Sequence, residues 1–252
     1  MREELKALRD AFMPWCFALL AVAAFAFTFG LERGYPWPSL NSISAGILRS
    51  LVDKLVPDTV QVVALSPFNA FLSLIAVSVV LGLVVTFPLF FCKLVHYLSP
   101  GLYPHERRGL LRISVPASML FVCGAFFSYF VVVPQTFELL YMFAGAAGVG
   151  ELFHITEFVT LVLGLVIVVG LMFQLPIAMV LLTRFGLAGE RFWREKWRHA
   201  AVAILIITAI ITPDGSGLSM AMLSMPLGVL YIAGMKVSEN RKSERSDYVQ
   251  EV

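Results

Sequence analysis

The chain has 252 residues, 59% of them hydrophobic and 14% charged, with a mean hydropathy of +0.83. A soluble domain carries about 25% charged residues, so the surplus of apolar surface has to be covered by lipid. The formal net charge of +2 is too small for a nucleic-acid binder, and no nucleic-acid partner is expected.

Crossing roughly 30 Å of hydrocarbon takes about 20 apolar residues of helix. The amino end, Arg2 to Asp10, is charged and is followed by an apolar run without a small-x-small cleavage site, so no cleaved signal peptide is expected. Charge-free runs then follow in order: Pro14 to Leu31, Asn69 to Cys92, Ile113 to Pro134, Phe158 to Thr183, Ala200 to Thr212 and Leu218 to Met235. They predict an all-α integral membrane protein with about six transmembrane helices in a single polytopic domain, residues 1–252. The spans fall at about 14–31, 69–98, 113–134, 158–183, 199–212 and 218–235, the second continuing past Lys93 into the interface. The fifth run reaches only about 20 Å, so either the bilayer thins beside it or its polar flanks snorkel. Thr212-Pro213-Asp214-Gly215 breaks the helix between the last two spans.

Between the spans, the first loop (Glu32 to Phe68) holds Ile47, Leu48, Leu51, Val52, Leu55 and Val56 at helical spacing with Arg49, Asp53 and Lys54 among them. That pattern predicts an amphipathic helix on or near the outer surface. The loop from Gln135 to Glu157 has no Lys or Arg, and the charged tail, 238–252, is expected to be disordered. Placing both termini in the cytoplasm puts all but Arg33, Arg49 and Lys54 of the 19 basic residues inside, as the positive-inside rule requires.

Chemistry of the usual kinds is missing. There is no GxxxxGK[ST] phosphate loop and no HExxH, and His and Cys do not cluster at metal spacing. Cys16, Cys92 and Cys123 are too far apart for a paired-cysteine motif and read as small packing residues. His96 and His105 flank a cytoplasmic loop, where an exposed interfacial histidine is the default. The expectation is a non-enzyme with no cofactor and no metal.

The loop after the second span is the informative segment. It reads Pro88-Leu-Phe-Phe-Cys-Lys-Leu-Val-His-Tyr97-Leu-Ser-Pro100-Gly-Leu102-Tyr103-Pro-His105-Glu106-Arg107-Arg108. Elsewhere stand Ser66-Pro67-Phe68, then Gly124, Phe127, Tyr129 and Pro134, then Phe173-Gln174-Leu175-Pro176, and Thr212-Pro213-Asp214 followed by Pro226. Together these resemble the TatC family, the multispanning core subunit of the twin-arginine protein translocase, along nearly the whole chain. The aromatic, the proline and the Leu-Tyr-x-His-Glu-Arg/Lys-Arg run are its most specific part. Pro67, Pro88, Pro100, Leu102, Tyr103, His105, Arg108, Pro134 and Pro213 are the family-motif positions read as structural.

The resemblance implies a concave, glove-shaped arrangement of spans in a prokaryotic cytoplasmic membrane, with both termini inside. It implies a receptor for twin-arginine signal peptides and a core that exports folded proteins on the proton-motive force. It also implies partners of the TatA and TatB single-helix type and a homo-oligomer in the active complex. Paired arginines present planar donor forks, and a carboxylate accepting two parallel hydrogen bonds suits them. Glu106 is the expected partner; otherwise it neutralises Arg107, Arg108 or Arg112. Tyr97 stands at the family's receiving aromatic, or is an interfacial anchor. At the amino end, Glu4-Leu5-Lys6-Ala7-Leu8-Arg9-Asp10-Ala11 matches the family's leucines and first arginine, with Arg9 in place. The family's glutamate falls on Ala7. Glu4, or Glu3, lies about a turn earlier and could serve on a shared face; an acid stabilising a helix start is the plain alternative.

Gln174 lies mid-span where the family often has a glutamate, and an amide there reads as an interhelical hydrogen-bonding group or partner contact. Asp214 matches a family acid, or caps the next helix; where a glutamine usually follows in the family, Leu218 stands instead. A secondary transporter for a small solute is the alternative function. It would want inverted repeats and broken helices around a midplane site; Pro88, Pro134 and Pro176 interrupt or end spans, but no repeat is visible. A membrane scaffold without transport is the third reading.

Overall fold

The computed structural model describes residues 2–30, 42–57, 60–98, 104–147, 152–184, 187–188, 190–212 and 217–250. Helix α1 (Arg2–Thr28) is followed by α2 (Ile43–Leu55), strand β1 (Gln61–Val63) and α3 (Pro67–Leu98). Next come α4 (Pro104–Phe127), a π-helical turn (Ser128–Val132), α5 (Val133–Ala147) and strand β2 (Leu152–His154). The chain ends with α6 (Ile155–Met172), α7 (Leu175–Arg184), α8 (Glu190–Glu195), α9 (Trp197–Ile211) and α10 (Gly217–Gln250). Four helical stretches are long and apolar enough to cross a membrane: Pro67–Val95, Ile113–Ala146, Ile155–Arg184, which takes in both α6 and α7, and Gly217–Ser238. Two shorter apolar helices, Phe12–Thr28 and Trp197–Ile211, occupy the positions of the first and fifth predicted spans.

Prolines shape the long helices. The widened turn at Ser128–Val132 stands directly before Pro134, with the Val133 N–H reaching back to the Ser128 carbonyl. A proline ring in a regular helix meets the carbonyl four residues earlier, and a π turn is one way to relieve it. The helix then runs on to Ala147, well past Pro134, and takes up much of what the sequence presented as a loop from Gln135. Pro176 has the opposite effect. It leaves the Met172 carbonyl without its helical donor, and the chain breaks at Phe173–Gln174 between α6 and α7.

The core forms where α3, α4 and α6 meet, with α1 against α3 and α7 and α9 against α10. Gly124 and Gly170 let α4 and α6 approach closely. A Cβ on Gly124 would lie 2.8 Å from the Phe173 Cβ and 3.0 Å from the Gly170 Cα; one on Gly170 would lie 2.9 Å from the Phe121 ring. Phe121 is fully buried and stacks on Phe87 at 3.8 Å between centroids.

The predicted loop helix is α2, capped by Ser42, whose Oγ accepts from the Ala45 N–H at 3.3 Å. Its apolar face is buried in protein rather than resting on lipid: Leu48, Leu51 and Leu55 join the cluster containing Val133, Phe137 and Phe158. β1 and β2 form a parallel two-stranded pair, Val62 opposite Phe153, a small departure from all-α. The tail expected to be disordered is helical as far as Gln250. It is charged, but it contains neither Pro nor Gly from Lys236 to Gln250 and is rich in good helix formers.

Candidate functional site

Two of the predicted site residues, Arg9 and Tyr97, lie where the first turns of α1 meet the last turns of α3. Tyr97 lies in the last turn of α3 and is half-buried. Its ring meets Phe12 of α1 at 6.0 Å, and Phe12 meets Phe90 of α3 at 5.8 Å. Trp15 adds a closer contact to Phe90, 4.8 Å. Arg9 stands one helical turn before Phe12, so the two share a face. Its guanidinium is exposed and paired with Asp10, Nε to Oδ1 at 2.9 Å. An apolar groove of about 330 Å³ runs along Arg9, Phe12, Met13 and Cys16.

Glu106, His105 and Arg108 lie in the first turns of α4, just after Pro104. Proline suits the start of a helix because its missing N–H would be unpaired there anyway. An acid in that turn is favoured by the unpaired N–H groups of the helix end. The side chains of Glu106, His105 and Arg108 lie outside the described set, as does that of Glu4 in α1. Pro100, Leu102 and Tyr103 lie outside the described residues, as do Pro213 and Asp214.

Pro67 opens α3. The Ser66 Oγ accepts from the Phe68 N–H at 3.3 Å, and the Ser66 carbonyl accepts from Asn69 at 3.0 Å. Pro88 lies inside α3 and Pro134 at the start of α5. Gln174, at the α6–α7 break, donates from Nε2 to the Ala117 carbonyl of α4 at 3.1 Å. Its Oε1 is buried with no hydrogen-bond partner among the described residues. The interhelical bond expected of this amide is therefore made within the chain.

Three features had no signal in the sequence as read. Phe12, the aromatic that joins α1 to Tyr97, resembles any interfacial aromatic until α3 is placed beside it. Lys54 of α2 lies over the rings of Tyr129 and Phe130, 4.7 and 4.3 Å from their centroids; such contacts hold a cation by the ring quadrupole. Trp193 of α8 is tied to two other helices by hydrogen bonds.

Residues 3–226 match the family model for the Sec-independent protein translocase protein TatC. The chain belongs to the TatC family. The TatC protein of Cenarchaeum symbiosum is 35% identical over 231 residues, covering 88% of each chain. That of Deinococcus radiodurans is 34% identical over 157 residues, 62% of this chain and 58% of that protein. A crystal structure described as the twin-arginine translocase receptor TatC superposes with a TM-score of 0.70 at 25% identity, covering 94% of this chain and 98% of that one. A second, in DDM, gives 0.72 at 23% identity over 93% and 99% and shares the fold. This TatC-family chain is thus a multi-pass membrane protein of a Sec-independent translocase. The family match ends at Pro226, so the charged end of α10 lies beyond it.

Proposed function

We propose that this chain is the signal-peptide receptor and core of a translocase that exports folded proteins with twin-arginine signal peptides across the cytoplasmic membrane. The observation that supports this reading is the contact between Phe12 and Tyr97, which holds α1 against the last turn of α3, from which the chain leads on to the start of α4. Two arginines arriving there would find the Glu106 carboxylate, able to accept two parallel hydrogen bonds from one planar fork. Tyr97 would receive the peptide beside them, and the groove along Phe12, Met13 and Cys16 offers an apolar continuation. Arg9 belongs to the motif and is already neutralised by Asp10. Glu4 is the acid proposed to substitute for the family glutamate that Ala7 replaces.

In the same reading six helices cross the membrane, α1 and α9 completing the four longer ones in a concave bundle with both termini in the cytoplasm. The basic residues of α8 and of the α4 start support that orientation. Gln174 cannot carry a proton, so the proton-motive force would act elsewhere. TatA- and TatB-type single-helix subunits and further copies of this chain are the proposed partners, and Asp214 is a proposed contact. A small-solute transporter would share the break at Gln174, but there the amide is already engaged with Ala117.

The test is photo-crosslinking from a probe at Glu106 or Tyr97 to a twin-arginine signal peptide, against a paired-lysine control. A crosslink lost with paired lysines supports the receptor. Equal labelling by both peptides sinks it and turns attention to solute uptake.

A further inference from the structure

The elbow between α8 and α9 concentrates positive charge, with four Lys and Arg residues against the two carboxylates Glu190 and Glu195. Arg191, Arg194, Lys196, Arg198 and His199 are all exposed. None of them forms an ion pair among the described side chains, and the first turn of α9 holds no acidic residue. Two large aromatics stand among them: Phe192 is 47% exposed and Trp197 54%. The Arg198 guanidinium lies 5.5 Å from the centroid of the Trp197 ring.

The elbow is also held in one orientation. Trp193 turns inward, its indole donating to Thr183 of α7 and its carbonyl accepting from Tyr231 of α10. On so short a helix this directs Arg191 and its neighbours away from the bundle. The apolar sides of α9 that begin there, Val202, Ile206 and Ile210, are exposed as well. The cations therefore sit where an outward, lipid-covered face reaches the headgroup layer, the level at which tryptophan rings also settle.

We propose that the α8–α9 elbow is a binding site for anionic phospholipid headgroups. Charge complementarity selects the occupant: phosphate-bearing lipid with a net negative charge is attracted, whereas a twin-arginine peptide is repelled. Guanidinium forks bind phosphate oxygens in pairs, and Trp197 packs beside the glycerol backbone while its neighbour Arg198 holds the charge. The site requires only that the chain lies in a bilayer, not that it receives signal peptides.

The test uses the full chain in detergent micelles holding equal phosphatidylglycerol and phosphatidylcholine, with retained lipids counted by native mass spectrometry. The unaltered protein should retain phosphatidylglycerol in excess. Arg194→Gln with Arg198→Gln should reduce that excess, by roughly fivefold per cation removed; Arg49→Gln with Lys93→Gln should leave it unchanged. Equal retention of the two lipids by the unaltered protein, or the same loss in both double variants, overturns the site. Displacement of phosphatidylglycerol from the elbow by a poly-glutamate peptide at lower concentration would also overturn it, in favour of an acidic protein partner. If the elbow variant does not fold, the unaltered protein decides: its phosphatidylglycerol excess must fall as salt is raised, and an excess indifferent to salt refutes the proposal.

Discussion

Tyr231 of α10 donates its hydroxyl hydrogen to the Trp193 carbonyl at 2.7 Å, across 38 residues of sequence. The Trp193 indole donates in turn to the Thr183 Oγ1 at 3.0 Å, and Thr183 donates to the Met179 carbonyl at 2.9 Å. One residue on a six-residue helix, through its indole and its backbone carbonyl, thus joins three helices. Tyr231→Phe keeps the ring packed and removes only the first of these bonds. It should lower stability by about 0.5–1.5 kcal/mol, read as a fall in Tm in detergent. An unchanged Tm would mean that the Tyr231 bond adds nothing to the hold on α8.

The glycine contact between α4 and α6 makes a sharper demand. Gly124→Ala puts a methyl group 3.0 Å from the Gly170 Cα, which is backbone and cannot swing aside. Overpacking of this kind costs about 1–3 kcal/mol. Gly145→Ala is the matched control, since nothing lies within 4 Å of its Cβ position. In the helix α5 it should be neutral or stabilising by up to about 1 kcal/mol. Thermal unfolding of the two variants side by side checks the difference; equal behaviour would disprove the close approach.

At Gln174 two effects oppose one another. Gln174→Leu loses the bond to the Ala117 carbonyl but also removes the buried, unpartnered Oε1. The net change in stability should stay within about 1 kcal/mol. Gln174→Glu, once ionised, also loses the donor and adds a charge facing a carbonyl, so it should be clearly less stable at neutral pH. Chemical denaturation of both variants separates these cases. A large loss in the leucine variant would show that Oε1 has a partner of its own.

The recognition site makes a prediction about affinity. Glu106→Gln keeps the shape of the side chain and removes the charge that the arginines would meet. Binding of a twin-arginine peptide, followed by fluorescence anisotropy, should weaken by tenfold or more, the effect of about 1.5–3 kcal/mol. Tyr97→Phe keeps the ring against Phe12 and should cost less. Undiminished binding by the glutamine variant would remove Glu106 from the site.

Much of this was legible in the chain itself. A charged fraction of 14% with long uncharged apolar runs decided the membrane class, because lipid is the solvent that can cover such a surface. The helix α2 was readable from Leu48, Leu51 and Leu55, and the motif around Tyr97 and Glu106 from its fixed spacing, since both signals are local. What only the tertiary structure decided involves residues far apart in sequence. Gly124 against Gly170, Lys54 over Tyr129, Phe12 beside Tyr97, Trp193 between Thr183 and Tyr231, and the pairing of β1 with β2 carry no mark in their own neighbourhoods. Local periodicity records which face of a helix is apolar. Which helix meets that face is set by shape and close packing among elements that the sequence does not place side by side.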